Sequence, residues 1–168
     1  VLPNTPSQLS DQDGDGFGDN ATGPEPDACP GTSGTSTVDR YGCPDADGDG
    51  VSDLGDAFPN DPTRDTDSDG DGLDDAVDGC PTLAGTSTSP VAGCPDADGD
   101  GVAEAQEGSD GIGVVTLADG ADAYPEEPTQ WSDSDGDGYG DEIDGFEGDA
   151  CPNVAGTSTL DRYGCPDS

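Results

Sequence analysis

Residues 43–56 read Cys43-Pro44-Asp45-Ala46-Asp47-Gly48-Asp49-Gly50-Val51-Ser52-Asp53-Leu54-Gly55-Asp56. Acids stand at places one, three, five, nine and twelve counted from Asp45, and glycine stands at place six. Carboxylates at places one, three and five converge when the chain curls. Place six must then turn sharply, which suits glycine because it tolerates positive φ. Such a cage, completed by the Val51 carbonyl at place seven and by Asp53 and Asp56, offers the six to eight oxygens that calcium takes at about 2.3–2.6 Å.

The pattern recurs five times. The loops span 11–22, 45–56, 67–78, 96–107 and 133–144. Their first four acids are Asp11, Asp13, Asp15 and Asp19; Asp45, Asp47, Asp49 and Asp53; Asp67, Asp69, Asp71 and Asp75; Asp96, Asp98, Asp100 and Glu104; and Asp133, Asp135, Asp137 and Asp141. The place-seven carbonyls belong to Phe17, Val51, Leu73, Val102 and Tyr139. Place twelve holds Asp56, Asp78, Glu107 and Asp144, and in the first loop Thr22. Aligned copies place an acid two residues before the first cysteine of each pair: Asp27, Asp78 and Asp149. Asp27 therefore substitutes for the acid missing at Thr22, and Asp144 and Asp149 compete for one role. Asp119 and Asp122 likewise resemble Asp53 and Asp56, displaced by an insertion at about 105–119. A helix–loop–helix hand fits poorly, since it wants a glutamate at place twelve and amphipathic helical flanks. Helical periodicity is absent apart from one turn near Val102–Gln106. Magnesium is disfavoured because it keeps its waters.

Composition agrees. The 168 residues hold 40 acids and three arginines, with no lysine or histidine, for a formal charge of −37. Leu, Ile, Val and Phe number 21 and Gly and Pro 43. Apolar content this low, with this much charge, signals disorder unless something replaces the core. The charge repels nucleic acid. Without lysine there is no Walker-type phosphate loop or Schiff base, and without histidine no serine or cysteine triad and no histidine-bound zinc. No signal peptide and no membrane span is expected in this stretch. Carboxylates abound, but without a pocket-forming core no enzyme is expected.

The six cysteines form three pairs of equal spacing, Cys29/Cys43, Cys80/Cys94 and Cys151/Cys165, each within C-P-x11-G-C-P. Fifteen pairings are possible, and the repetition favours the local one. Each bridge then closes a ring whose entropic stabilisation is about 3 kcal/mol, in an oxidising, extracellular setting. Four-cysteine zinc sites need close C-x2-C pairs, which are absent. The segments 29–45 and 151–167 are nearly identical, while 80–96 lacks the Asp-Arg-Tyr element. A second linker recurs at Val1-Leu2-Pro3-Asn4, Ala57-Phe58-Pro59-Asn60 and Ala123-Tyr124-Pro125-Glu126. Such repetition marks an array whose units touch only their neighbours. The expected units are 1–56, 57–122 and a partial 123–168, with disulfide segments 29–43, 80–94 and 151–165. Because the last residues match the start of another loop, the sequence reads as a window on a longer array. The insertion, with Ile112, Val114, Val115 and Leu117, is expected as a locally packed excursion, a short hairpin or a contact surface.

The union of D-x-D-x-D-G-x-x-D loops with CP…GCPD pairs resembles thrombospondin type 3 repeats, above all those of microbial surface proteins. The resemblance covers nearly the whole chain apart from the insertion. It implies little regular secondary structure and an elongated tandem-repeat array wrapped around calcium ions and stapled by local disulfides. It also implies paired ions, bridged by Asp19, Asp53, Asp75, Glu104 and Asp141. At least five ions are then expected, and about ten if all are paired. Thr22, Glu104, Glu107 and the insertions depart from the pattern, at the first and fourth loops.

The functional expectation is a calcium-dependent structural region of an extracellular stalk, adhesin or filament, with ions replacing the core. Neighbouring repeats or subunits, including a homopolymeric filament, are the expected partners. The alternative is a low-affinity calcium or mineral buffer at the cell surface. Arg40, Tyr41, Arg162, Tyr163, Arg64 and Trp131 either pack on their own module's disulfide or linker or dock on acidic loops next door. Asn20-Ala21-Thr22 is an N-glycosylation triplet, and the Thr/Ser runs at 35–37, 86–88 and 157–159 are compositional candidates for O-linked sugars.

Overall fold

Asp side chains compete with secondary structure for backbone N–H groups, and here they win. The computed structural model describes residues 10–105, 115–160 and 162–166. Among these the regular structure is one 3-10 helix, Leu117–Asp119, and three isolated parallel bridges, Gly18–Pro26, Ser89–Val102 and Glu104–Asp122. In the second loop Gly48 and Gly50 donate to the two oxygens of Asp45 at 2.8 and 3.1 Å, and Val51 donates to Asp49 at 2.8 Å. The place-six glycines have φ between 91° and 105°, as their turn requires. Val102 and Glu104 pair through bridges, so the residues described there form no helical turn; Gln106 lies outside the described residues.

The chain divides into two compact units, residues 1–66 and 67–168. The first holds two aspartate loops, one disulfide and the linker 57–66. That linker folds back on itself, with Ala57 donating to the Asp65 carbonyl at 3.1 Å and the Arg64 guanidinium 3.6 Å from the Phe58 ring centroid. The second unit holds three loops and two disulfides.

The three disulfides are local: Cys29–Cys43, Cys80–Cys94 and Cys151–Cys165, with Cα separations of 5.1, 5.0 and 5.2 Å. No cysteine is free. The rings are built alike. The residue before each first cysteine (Ala28, Gly79, Ala150) donates to Tyr41, Ala92 or Tyr163 at 2.8–3.0 Å. The middle serine of each Thr-Ser-Thr run turns inward: Ser36, Ser87 and Ser158 are buried. The hydroxyls of Ser36 and Ser87 accept from Cys43 and Cys94 at 3.0 Å and donate to the carbonyls of Arg40 and Val91. Among the expected O-linked positions these serines are therefore closed to modification, while the flanking threonines are exposed.

The buried apolar residues are Cys43, Cys80, Cys94 and Cys165, with Ala103, Val115 and Ala121. Leu54 and Leu160 are 80% and 92% exposed. Among the described residues, half-cystines are thus most of the buried apolar core. Of the insertion, Val115 packs with Cys80, Cys94, Ala103 and Ala121, and Leu117 is exposed. Ile112 and Val114 lie outside the described residues.

Arg40 and Arg162 each point Nη2 at their own ring's sulfur, Cys29 Sγ at 3.8 Å and Cys151 Sγ at 3.2 Å. Tyr41 and Tyr163 rest against the place-seven rings of Phe17 and Tyr139, with centroids 5.9 and 5.7 Å apart. Of the two expectations for these residues, the structure therefore shows packing within the module.

Gly93 and Gly99 separate backbone conformation from packing. Both have φ near +80°, but a methyl on Gly93 would fall on the Asp78 carboxylate, whereas Gly99 has open space. Gly99→Ala is expected to cost about 1 kcal/mol, the left-handed penalty, and Gly93→Ala about 3 kcal/mol. Urea unfolding of the two variants measures the difference, and equal losses would count against it.

Candidate metal centres

Each loop gathers its first three acids. Asp11, Asp13 and Asp15 bring ligand oxygens within 4.8 Å of one another, as do Asp45, Asp47 and Asp49; Asp67, Asp69 and Asp71; Asp96, Asp98 and Asp100; and Asp133, Asp135 and Asp137. The backbone does the gathering. Place four donates to the first acid at 2.7–2.9 Å, and place seven to the third acid of the triad at 2.7–3.0 Å, in all five loops. These bonds leave the carbonyls of Phe17, Val51, Leu73, Val102 and Tyr139 without a backbone donor among the described residues.

The place-nine acids have a different role in the loop. Asp19, Asp53, Asp75, Glu104 and Asp141 accept the N–H of place two at 2.7–3.2 Å. They close the loop across its back. Burial works against the charge of Asp141, but hydrogen bonds from Ser134 and Ser132 outweigh it and hold the carboxyl below its ordinary range.

A fifth acid reaches each triad by a contact that ignores loop length. The N–H groups of Asp27, Asp56, Asp78, Asp122 and Asp149 donate to the place-eight carbonyls of Gly18, Ser52, Asp74, Ala103 and Gly140 at 2.7–2.9 Å. Each of these carboxylates then accepts the N–H two residues on, at 2.6–2.7 Å. All five are buried. Asp27 therefore stands where Thr22 was counted. In the fifth loop the structure brings in Asp149, not Asp144, because the insert carries Asp144 out to solvent. In the fourth loop Asp122 takes the closing place; Glu107 lies outside the described residues.

The carboxylates demand a positive partner. Asp13, Asp47, Asp69, Asp98 and Asp135, the middle acid of every triad, each keep a buried oxygen with no hydrogen-bond donor among the described residues, as do Asp27 and Asp149. Buried charged oxygens without a donor are strongly disfavoured. Burial first, and then the charges of the same loop, push Asp27, Asp56, Asp78 and Asp100 above the ordinary carboxylate range. The same causes push Asp122 up to about 6, with Asp100, Asp98 and Glu104 as the repelling charges. The triads could hold metal ions, and an all-oxygen donor set with every cysteine oxidised suits a hard cation.

Sequence reasoning missed Gln130, which is buried beside the fifth loop, and Asp39, whose carboxylate accepts the Ser52 N–H and hydroxyl at 2.8 and 2.7 Å. Asn20 is exposed, and its Oδ1 accepts from the Thr22 N–H and hydroxyl at 3.2 and 3.0 Å. No helix among the described residues is long and apolar enough to cross a membrane. The three disulfides fit a non-reducing, extracellular environment. No protein-family model matches the chain, and no curated protein matches it either.

The raised closing acids give a pH dependence of definite sign. A carboxyl whose folded pKa exceeds its unfolded 3.8 favours the fold at low pH, and this contribution fades as pH rises through the folded value, about 6 for Asp122. The chelated chain should therefore protect more amides from hydrogen exchange at pH 5 than at pH 7.5. Cation binding should weaken over the same fall in pH, because protons compete for the cage. Protection of the chelated chain that rises with pH would contradict this.

Proposed function

We propose that the chain is a calcium-dependent structural module of an extracellular stalk, adhesin or filament, a tandem array in which calcium ions take the place of a hydrophobic core. One observation carries the reading: the middle acid of all five triads holds a buried oxygen without a donor. A cation at each triad satisfies that oxygen and neutralises its neighbours. Calcium fits better than magnesium because the donor set is all protein, carboxylates with a backbone carbonyl, where magnesium retains water. Such a protein binds and folds in one step. The resemblance to thrombospondin type 3 repeats points the same way, and extends it to paired ions bridged by the place-nine acids. The work done is mechanical: loaded repeats fix the distance to whatever domain or subunit lies beyond them, with neighbouring repeats or further copies as partners.

Native mass spectrometry is expected to count at least five calcium ions, and a chelator should make the protein sensitive to a non-specific protease. Asp47→Asn should weaken the second loop by about tenfold or more and remove its ion from the count at limiting calcium. Protease resistance unchanged in excess chelator would overturn the structural reading. Many weak independent sites, with no gain of order, would favour a buffer.

A further inference from the structure

Gln130 heads the largest fully buried side chains, at 1% exposure, yet it is polar and lies outside every aspartate loop. Its amide is engaged on both sides. Nε2 donates to the carbonyls of Glu142 and Phe146 at 2.9 and 3.1 Å, and Oε1 accepts the Glu142 N–H at 3.1 Å. Phe146 N–H donates next door, to Thr129 Oγ1 at 2.8 Å. The five-residue insert of the fifth loop is thus wound round this amide. A methyl on Gly140 or Gly145 would strike the Gln130 side chain, so the turn closes tightly on it. Gly140 is also the residue whose carbonyl takes the Asp149 N–H, at 2.7 Å.

We propose that Gln130 is a positioning residue for the fifth cation site: it shapes the inserted turn so that Asp149, nine residues beyond Gly140, reaches the fifth triad as Asp78, only four residues beyond Asp74, reaches the third. The inference rests on the reading of these loops as cation sites. Only a carboxamide offers a donor and an acceptor at that place; glutamate lacks the donor and arginine the acceptor. The repeats carry a matching pattern. Gln8 stands three residues before Asp11 as Gln130 stands three before Asp133, and both loops have the insert. Arg64 holds that position before the third loop, which has none. Gln8 lies outside the described residues, but the turn that follows repeats in detail. Gly23 donates to Asn20, and Gly145 to Glu142, both at 2.8 Å, and Glu25 and Glu147 share φ of 48° and 50°.

Terbium is the probe, on the full chain. Trp131, the lone tryptophan, lies two residues before Asp133, so terbium emission excited through it reports the fifth loop. Gln130→Ala and Gln130→Glu are expected to weaken that signal's affinity about tenfold or more, while native mass spectrometry still counts calcium in the other four loops. Deleting residues 143–147 in the Gln130→Ala background shortens the loop to the third loop's length and should restore the affinity. Unchanged affinity in Gln130→Ala, no rescue on shortening, or loss of all ions together would each overturn the positioning role. Absence of sensitised emission from the unaltered protein would instead strike the cation reading itself.

Discussion

Like charges held together are the constraint from which the rest of the structure follows. Each loop confines three aspartate oxygens within 4.8 Å of one another and draws a fourth carboxylate in behind them. Backbone N–H groups satisfy one side of every triad. The other side keeps buried oxygens that find no hydrogen-bond donor among the described residues. With few apolar residues, the chain has only its disulfides and backbone hydrogen bonds to set against that repulsion, and a cation at each triad would relieve it. The disulfides lower the entropy of the unfolded chain and so lessen what any cations would have to supply.

A second regularity keeps the five sites alike. The closing acid is recognised by its N–H bond to the place-eight carbonyl, not by its distance along the chain. Two loops close directly, two accommodate five extra residues and one accommodates fifteen, while the closing bond keeps its length to within 0.2 Å. The closing bond therefore stays fixed while the length of chain between its partners varies, so added residues need not displace the carboxylates. Glycines of the Cys pairs complete the frame: at Gly42, Gly93 and Gly164 a methyl would press on Asp27, Asp78 or Asp149.

Much of this was legible in the sequence. The alternation of Asp13 with Asp11 and Asp15, the glycine in phase, and the equal spacing of the cysteine pairs are local patterns, and they produce local structure. Packing of Arg40 and Tyr41 within their own module was one of two readings; Arg40 points at its own disulfide and Tyr41 rests on Phe17 of the preceding aspartate loop. What counting along the chain could not settle was closure. Place twelve selects Asp144 only if no residue intervenes, whereas the closing backbone contact in that loop is made by Asp149, and in the fourth loop by Asp122. Gln130 was invisible for a different reason: a buried amide has no periodicity, and its one signal was the recurrence of glutamine ahead of both inserted loops. Ser36 and Ser87 looked like surface hydroxyls because their run is polar, yet each hydroxyl is held inward by the N–H of its ring's second cysteine.

Ions at the triads are what the proposed calcium-dependent fold requires. An anomalous difference map from crystals grown in calcium is the most direct measurement. It is predicted to show a peak against the orphaned oxygens of Asp13, Asp47, Asp69, Asp98 and Asp135, with Asp27, Asp56, Asp78, Asp122 and Asp149 as closing ligands. An ordered chain with saturating calcium and no peaks at the triads would contradict it.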